Sequence, residues 1–187
     1  LVDIDLVKVD VWNYKDDYLQ TVQLKNLDKE LKRSYLATIS TENKTFVQLA
    51  DKEVPDVLLS EDGDGELAAG ISDVSYRVAS QWEGRTQKDI YAINPDNGSK
   101  QLVKKNVAGN VSVSAAGKFI LWYDQKAKQY FTWRKGAIQN ISAKVAPKLY
   151  VENFDMPNDP YPYGIMGWTG GDLAVLVNCA GEAPSAP

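Results

Sequence analysis

The chain has 187 residues, 44% of them hydrophobic, which is enough to bury a core. Its 21 Lys and Arg against 25 Asp and Glu give a formal net charge of −4, so no broad basic field draws nucleic acid phosphates or an anionic membrane. The absence of histidine removes Ser-His-Asp and Cys-His catalysis and His-ligated zinc, and the lone Cys179 makes neither an internal disulfide nor a Cys-rich metal site.

The N-terminus, LVDIDLVKVDVWNY, carries no initiator Met, basic start or signal-type apolar block, and reads as a cut inside a longer protein. Leu24, Leu27 and Leu31 then fall at helical spacing with charges between, which predicts a short amphipathic helix inserted near residues 20–33. Strand patterns follow. Tyr35 to Ile39 and Phe46 to Leu49 flank the turn Glu42-Asn43-Lys44.

From there the chain repeats itself. Three segments, SEDGDGELAAG at Ser60, SAAGKFILWYD at Ser114 and WTGGDLAVLVN at Trp168, each place a glycine turn before an apolar run, and Gly63, Gly117 and Gly171 recur at 54-residue intervals. Short β-prone runs precede each turn at Val57 to Leu59, Val111 to Val113 and Gly164 to Met166. Third strands open at Tyr91 and Tyr130, hairpin turns sit at Asp96-Asn97-Gly98 and Lys135-Gly136, and fourth strands begin at Lys100 and Ala137.

A four-stranded antiparallel unit repeated at this length is the signature of a β-propeller blade, so the fold class is all-β. The expected domain is a partial β-propeller over 1–178, with blades at about 1–54, 55–108 and 109–162, a remnant at 163–178 and a tail at 179–187. Propellers close with roughly four to eight blades, so three and a remnant make an open arc, and self-association through its exposed edge strands is expected.

Trp12, Trp82 and Trp122 each end an expected second strand, and Tyr35, Tyr91 and Tyr130 open the third; core packing between sheets is the expected role of all six. The Ala143 to Tyr163 stretch holds Pro147, Pro157, Pro160 and Pro162, which forbids regular structure and predicts a long connecting loop on one rim. Its aromatic cluster, Tyr150, Phe154, Tyr161 and Tyr163 with Trp168 just beyond, is the candidate contact surface for a peptide or protein partner, set against the plainer reading of rings tucked onto the blade.

The other motifs carry less. Asp62-Gly63-Asp64-Gly65-Glu66 opens like a calcium loop but has Leu67 where the sixth-position glycine belongs, so a solvated turn is expected and no metal or cofactor. Asp16, Asp17 and scattered glutamates could in principle supply a glycosidase acid and base, a weaker third reading, because the separation in space decides that chemistry. No serine sits in a G-x-S-x-G elbow.

Several stretches taken together resemble a known family. VDVWNYKDDYLQ at Val9, LKRSYLA at Leu31, FVQLAD at Phe46, QWEGRTQKDIYAIN at Gln81, SAAGKFILWYD at Ser114 and DMPNDPYPYGIMGWTGGDLAVLVN at Asp155 are similar to the N-terminal propeller of prolyl oligopeptidase and dipeptidyl peptidase IV relatives. The likeness covers about residues 8 to 178, with W-x-Y-x-D and P-Y-G-I-x-G-W-T its more specific parts. It implies an intact protein, periplasmic or secreted, in which an α/β-hydrolase domain carries the catalytic Ser, Asp and His. The propeller there filters or orients peptide substrate. No catalytic residue transfers to this chain, so the expectation is a non-catalytic fragment, with a stand-alone peptide- or protein-binding propeller as the alternative.

Overall fold

The computed structural model describes residue 9 and residues 11–181, and within them the chain is all-β with a few short helices. Helix α1 spans Gln20–Leu31, where the helical spacing of the leucines placed it. The hairpin β1 (Ala37–Ile39) and β2 (Phe46–Gln48) follows. Next comes a four-stranded antiparallel meander of β3 (Asp56–Leu58), β4 (Ala68–Ser72), β5 (Lys88–Ile93) and β6 (Lys100–Val107). A second meander holds β7 (Val111–Val113), β8 (Ile120–Asp124), β9 (Gln129–Arg134) and β10 (Ala137–Asn140). The last pair is β11 (Ile165–Trp168) and β12 (Val175–Val177).

These sheets stack face to face in chain order, with three apolar layers between them. Leu49 from the first hairpin packs with Val54, Ala68 and Ile93. Ala69, Ile90 and Ala92 on the opposite face of that meander meet Ile120, Trp122 and Trp133 of the next. Leu121, Tyr123 and Tyr130 then meet Ile165, Val175 and Val177 of the last hairpin, with Leu149. Because successive side chains in a strand point to opposite faces, a sheet covered on both sides needs an unbroken apolar run. Ile120-Leu121-Trp122-Tyr123 supplies one, fully buried.

The turns lock neighbouring sheets at one end. The turn joining β3 to β4 and the turn joining β7 to β8 touch backbone to backbone: a Cβ on Gly117 would lie 2.2 Å from the Gly65 Cα. The last turn then reaches back to the middle one. Buried Asp172 accepts hydrogen bonds from Ser114 Oγ (2.6 Å), the Ala116 N–H (2.9 Å) and the Lys118 N–H (3.3 Å). Burial alone would raise its carboxyl pKa, but these donors hold it below the ordinary aspartate value.

Asp172→Asn keeps the size and the tolerance of the left-handed backbone found there (φ 61) but sets an amide N–H against an N–H donor. We expect a loss of about 1–3 kcal/mol at pH 7. The sign of its pH dependence follows from the lowered folded-state pKa: the stabilisation is present above the unfolded aspartate value, about 3.9, and disappears as pH falls through the folded one. Denaturant titrations of both proteins should therefore converge below about pH 4; a constant gap would show that the charge is immaterial.

The structure corrects the aromatic pattern. Trp122 is 1% exposed in β8, but Trp82 stands on a helix, α2 (Arg77–Glu83), and is 82% exposed. The second strand of that meander ends at Ser72, and the chain then leaves the sheet through a 3-10 turn at Val74–Tyr76 and α2 before re-entering as β5. Trp12 is 62% exposed and residues 11–14 form no strand; the preceding residues of that expected strand, 1–8 and 10, lie outside the described residues, as does the tail from 182. Tyr91 and Tyr130 are not equivalent either. Tyr91 packs toward the first hairpin and Tyr130 toward the last, so the third strands are offset by one residue relative to their tyrosines.

Candidate functional site

The Ala143 to Tyr163 connection is irregular, as its prolines dictate, but it is held at its base. Tyr150 and Pro162 form an isolated antiparallel bridge, the Val151 N–H donates to Tyr161 O and the Tyr163 N–H to Leu149 O. The chain from Glu152 to Asn158 projects beyond this neck, with only Phe154 in that span half-buried.

The five candidate aromatics divide. Tyr150 joins the last apolar layer, with the Lys128 ammonium 4.9 Å from its ring centre. Trp168 also packs there and stacks on Phe119 at 5.8 Å, with the Arg134 guanidinium over that same phenylalanine. Phe154 and Tyr161 meet edge to face at 5.1 Å. Tyr161 and Tyr163 keep much of their surface in solvent. The accessible part of the cluster is therefore Tyr161 and Tyr163, with Phe154 bracing the first.

Between the Pro162 to Ile165 stretch and the β7–β10 sheet lies a cleft of about 300 Å³, which the sequence did not disclose. Asn110 and Ser112 line one side, Pro162, Gly164 and Ile165 the other, with Tyr123 and Tyr130 between. The two rings meet at 5.1 Å, and the buried Tyr123 hydroxyl has no hydrogen-bond partner. Burial, then the neighbouring Tyr130, Tyr150, Asp124 and Asp159, pushes its pKa up to about 12. Burial raises that of Tyr130 as well, against the opposing Gly164 backbone N–H. The Tyr123 hydroxyl is thus a neutral donor at physiological pH, suited to a carbonyl oxygen rather than to acid-base chemistry. The only hint in the sequence was the alternation of Tyr123 and Tyr130 with residues that face the other layer.

A second cleft, of about 570 Å³, opens under α1 against Lys52, Pro55, Val74 and Arg77. Its cations are mostly engaged: Arg77 bridges Asp73 and Asp17 and covers the Tyr18 ring, and Arg33 pairs with Glu30. Asp16 and Asp17 serve this local scaffold, since Gln23 donates to Asp16 and Gln81 to the Asp17 carbonyl.

Comparison with family models, with curated proteins and with solved structures finds no match. Among the described residues no three of His, Cys, Asp and Glu gather as a metal site, and no helix is long and apolar enough to cross a membrane. The Asp62 to Glu66 run forms a largely exposed turn, in which the Gly65 N–H donates to Ser60 Oγ. Cys179 is free and exposed.

Proposed function

We propose that this chain is an arc of a β-propeller that binds and orients a peptide and performs no catalysis itself. The observation that carries the architecture is the serial stack: two complete four-stranded meanders, each covered on both faces by its chain neighbours and joined turn to turn at Gly65, Gly117 and Asp172. Radial repetition of such meanders is what a propeller is.

The Tyr123 cleft supports the peptide. A buried donor without a partner costs about 1–3 kcal/mol, and a peptide carbonyl would satisfy it. Tyr161 and Tyr163, which flank the lining residue Pro162 in the chain, supply solvent-facing aromatic contact area. In the parent protein that the sequence resemblance implies, an exported serine peptidase of the prolyl oligopeptidase clan, this face would present substrate to a separate α/β-hydrolase domain. A stand-alone binding module using the same loop is the second reading, favoured by the solvent-facing Met156, Tyr161 and Tyr163.

Incubation with a proline-containing tripeptide tests both parts. The peptide should bind and stay uncut, and Tyr161→Ala with Tyr163→Ala should abolish binding while leaving the thermal midpoint within about 1–2 °C, as expected for exposed side chains. Tyr123→Phe should weaken binding without destabilising the fold, because it removes a hydroxyl that has no partner to lose. Turnover by the pure chain would end the non-catalytic reading.

A further inference from the structure

A third cleft lies at the other ends of the strands that carry Tyr123 and Tyr130. Ala68 pairs with Ile93 across β4 and β5, and Ile120 with Trp133 across β8 and β9, so β5 and β9 run out on the same rim. The residues that follow, Asn94 and Arg134, enter the hairpin turns there. Between these turns, at the boundary of the two meanders, lies a cavity of about 220 Å³. Glu66, Asn94 and Gln101 line it from the first meander, and Lys118, Arg134 and Lys135 from the second.

The charge of this lining runs against that of the chain. Acids outnumber bases by 25 to 21 overall, yet three bases meet one acid here. Among the described residues none of the three cations joins an ion pair, and neither does Glu66. By contrast, Lys100 at the start of β6 is paired with Asp51, and Arg77 with Asp73.

Two of the three cations are held in place. The Arg134 guanidinium lies 5.0 Å from the centre of the Phe119 ring, which stacks on Trp168, so its fork is braced by aromatic faces rather than by a carboxylate. Lys118 Nζ donates to Gly171 O at 3.1 Å, which leaves its other protons for a further acceptor. Asp172 feels the Lys118 charge, but its carboxylate is buried and already accepts from Ser114 and two backbone N–H groups.

We propose that this cleft binds a phosphate-type oxyanion, as the head group of a small molecule or as the free ion. A braced guanidinium offers two parallel N–H donors to such an anion, and the ammonium groups add charge without direction. Three cations less one carboxylate leave a surplus of two charges, which suits a dianion. The size agrees. Pockets that enclose a drug-sized ligand run to about 300–1,000 Å³, so this smaller one takes a head group and leaves any remainder outside. The Asn94 and Gln101 amides on the facing wall are neutral donors, so a bound anion would bridge the two sheets. The site needs only the two meanders, whatever ring they belong to.

Inorganic phosphate titrated into the 187-residue chain, followed by amide NMR shifts in about 0.1 M NaCl, tests the site, because attraction beyond about 10 Å is then largely screened. Saturable shifts should gather at Asn94, Gln101, Lys118, Arg134 and Lys135. Arg134→Gln should weaken binding about tenfold or more, and Arg134→Lys less, since it keeps the charge and loses the fork. Lys135→Asn should also weaken binding; asparagine tolerates the left-handed backbone at that exposed turn (φ 47), so the fold should be unaffected. Lys25→Gln on the exposed face of α1 should change nothing.

Glycerol 3-phosphate binding more tightly than inorganic phosphate would mark a head-group site, and the reverse order a free-ion site; either supports the assignment. Shifts that never saturate, or affinities that Arg134→Gln and Lys135→Asn leave unchanged, would overturn it. A loss with Lys25→Gln as large as with Arg134→Gln would overturn it too, since the anion would then be following diffuse charge.

Discussion

Gly117→Ala is expected to destabilise the chain by about 2–5 kcal/mol. Two effects add. The new Cβ would lie 2.2 Å from the Gly65 Cα and 3.0 Å from the Gly65 carbonyl carbon, and both obstacles are backbone, which cannot swing aside as a side-chain tip can. Forcing atoms into such a contact costs about 1–3 kcal/mol. The backbone at Gly117 is also left-handed, with φ 66, which costs a residue bearing a Cβ about 1–2 kcal/mol more.

Gly136→Ala separates the two effects. Gly136 has φ 86 in the turn between β9 and β10, with nothing within 4 Å of its would-be Cβ, so only the backbone cost applies. At about 2–4 °C per kcal/mol for a chain of this size, Gly117→Ala should lower the thermal midpoint by about 10 °C and Gly136→Ala by about 5 °C. Equal shifts would mean that the turns of neighbouring sheets do not touch.

The second large effect is at Trp122. This ring is 1% exposed between the two meanders and stacks on Phe131 at 5.8 Å. Trp122→Ala removes it from a layer shared with Ala69, Ile90, Ala92 and Val107 of the adjoining sheet, and should cost about 3–5 kcal/mol in denaturant unfolding. Trp82→Ala, on the exposed face of α2, should stay within about 0.5 kcal/mol of the parent. Comparable losses at the two positions would mean that α2 packs its tryptophan against the sheets after all.

That pair of tryptophans shows what the sequence could reveal. Strands could be read because each of the repeated turns puts a glycine before an apolar run, with a serine three residues ahead of the glycine at Gly63 and Gly117. Ser114 Oγ accepts from the Lys118 and Phe119 N–H groups. The helix at Gln20–Leu31 could be read from leucine spacing, although its leucines stay largely exposed and the helix is anchored through Tyr18, Gln23 and the Arg77 ion pairs instead.

Other features left no mark in the pattern. The insertion of α2 between β4 and β5 moved Trp82 out of the core, because a repeat of aromatic residues says nothing about how much chain is spliced between strands. Asp172 read as one more turn residue. Its role depends on three donors 54 to 58 positions away, a contact between sheets that no local spacing encodes. The Tyr123 cleft was hidden for the same reason: its walls are strands of the β7–β10 sheet on one side and the Pro162 to Ile165 stretch on the other, which come from different units.

The most direct test of the account is an NMR map of backbone amide shifts as a proline-containing tripeptide is added to the chain. The account predicts shifts confined to Asn110 to Ser112, Tyr123, Tyr130 and Tyr161 to Ile165, with the peptide recovered uncut. Shifts centred instead on Lys52, Val74 and Arg77 under α1, or a cleaved peptide, would contradict it.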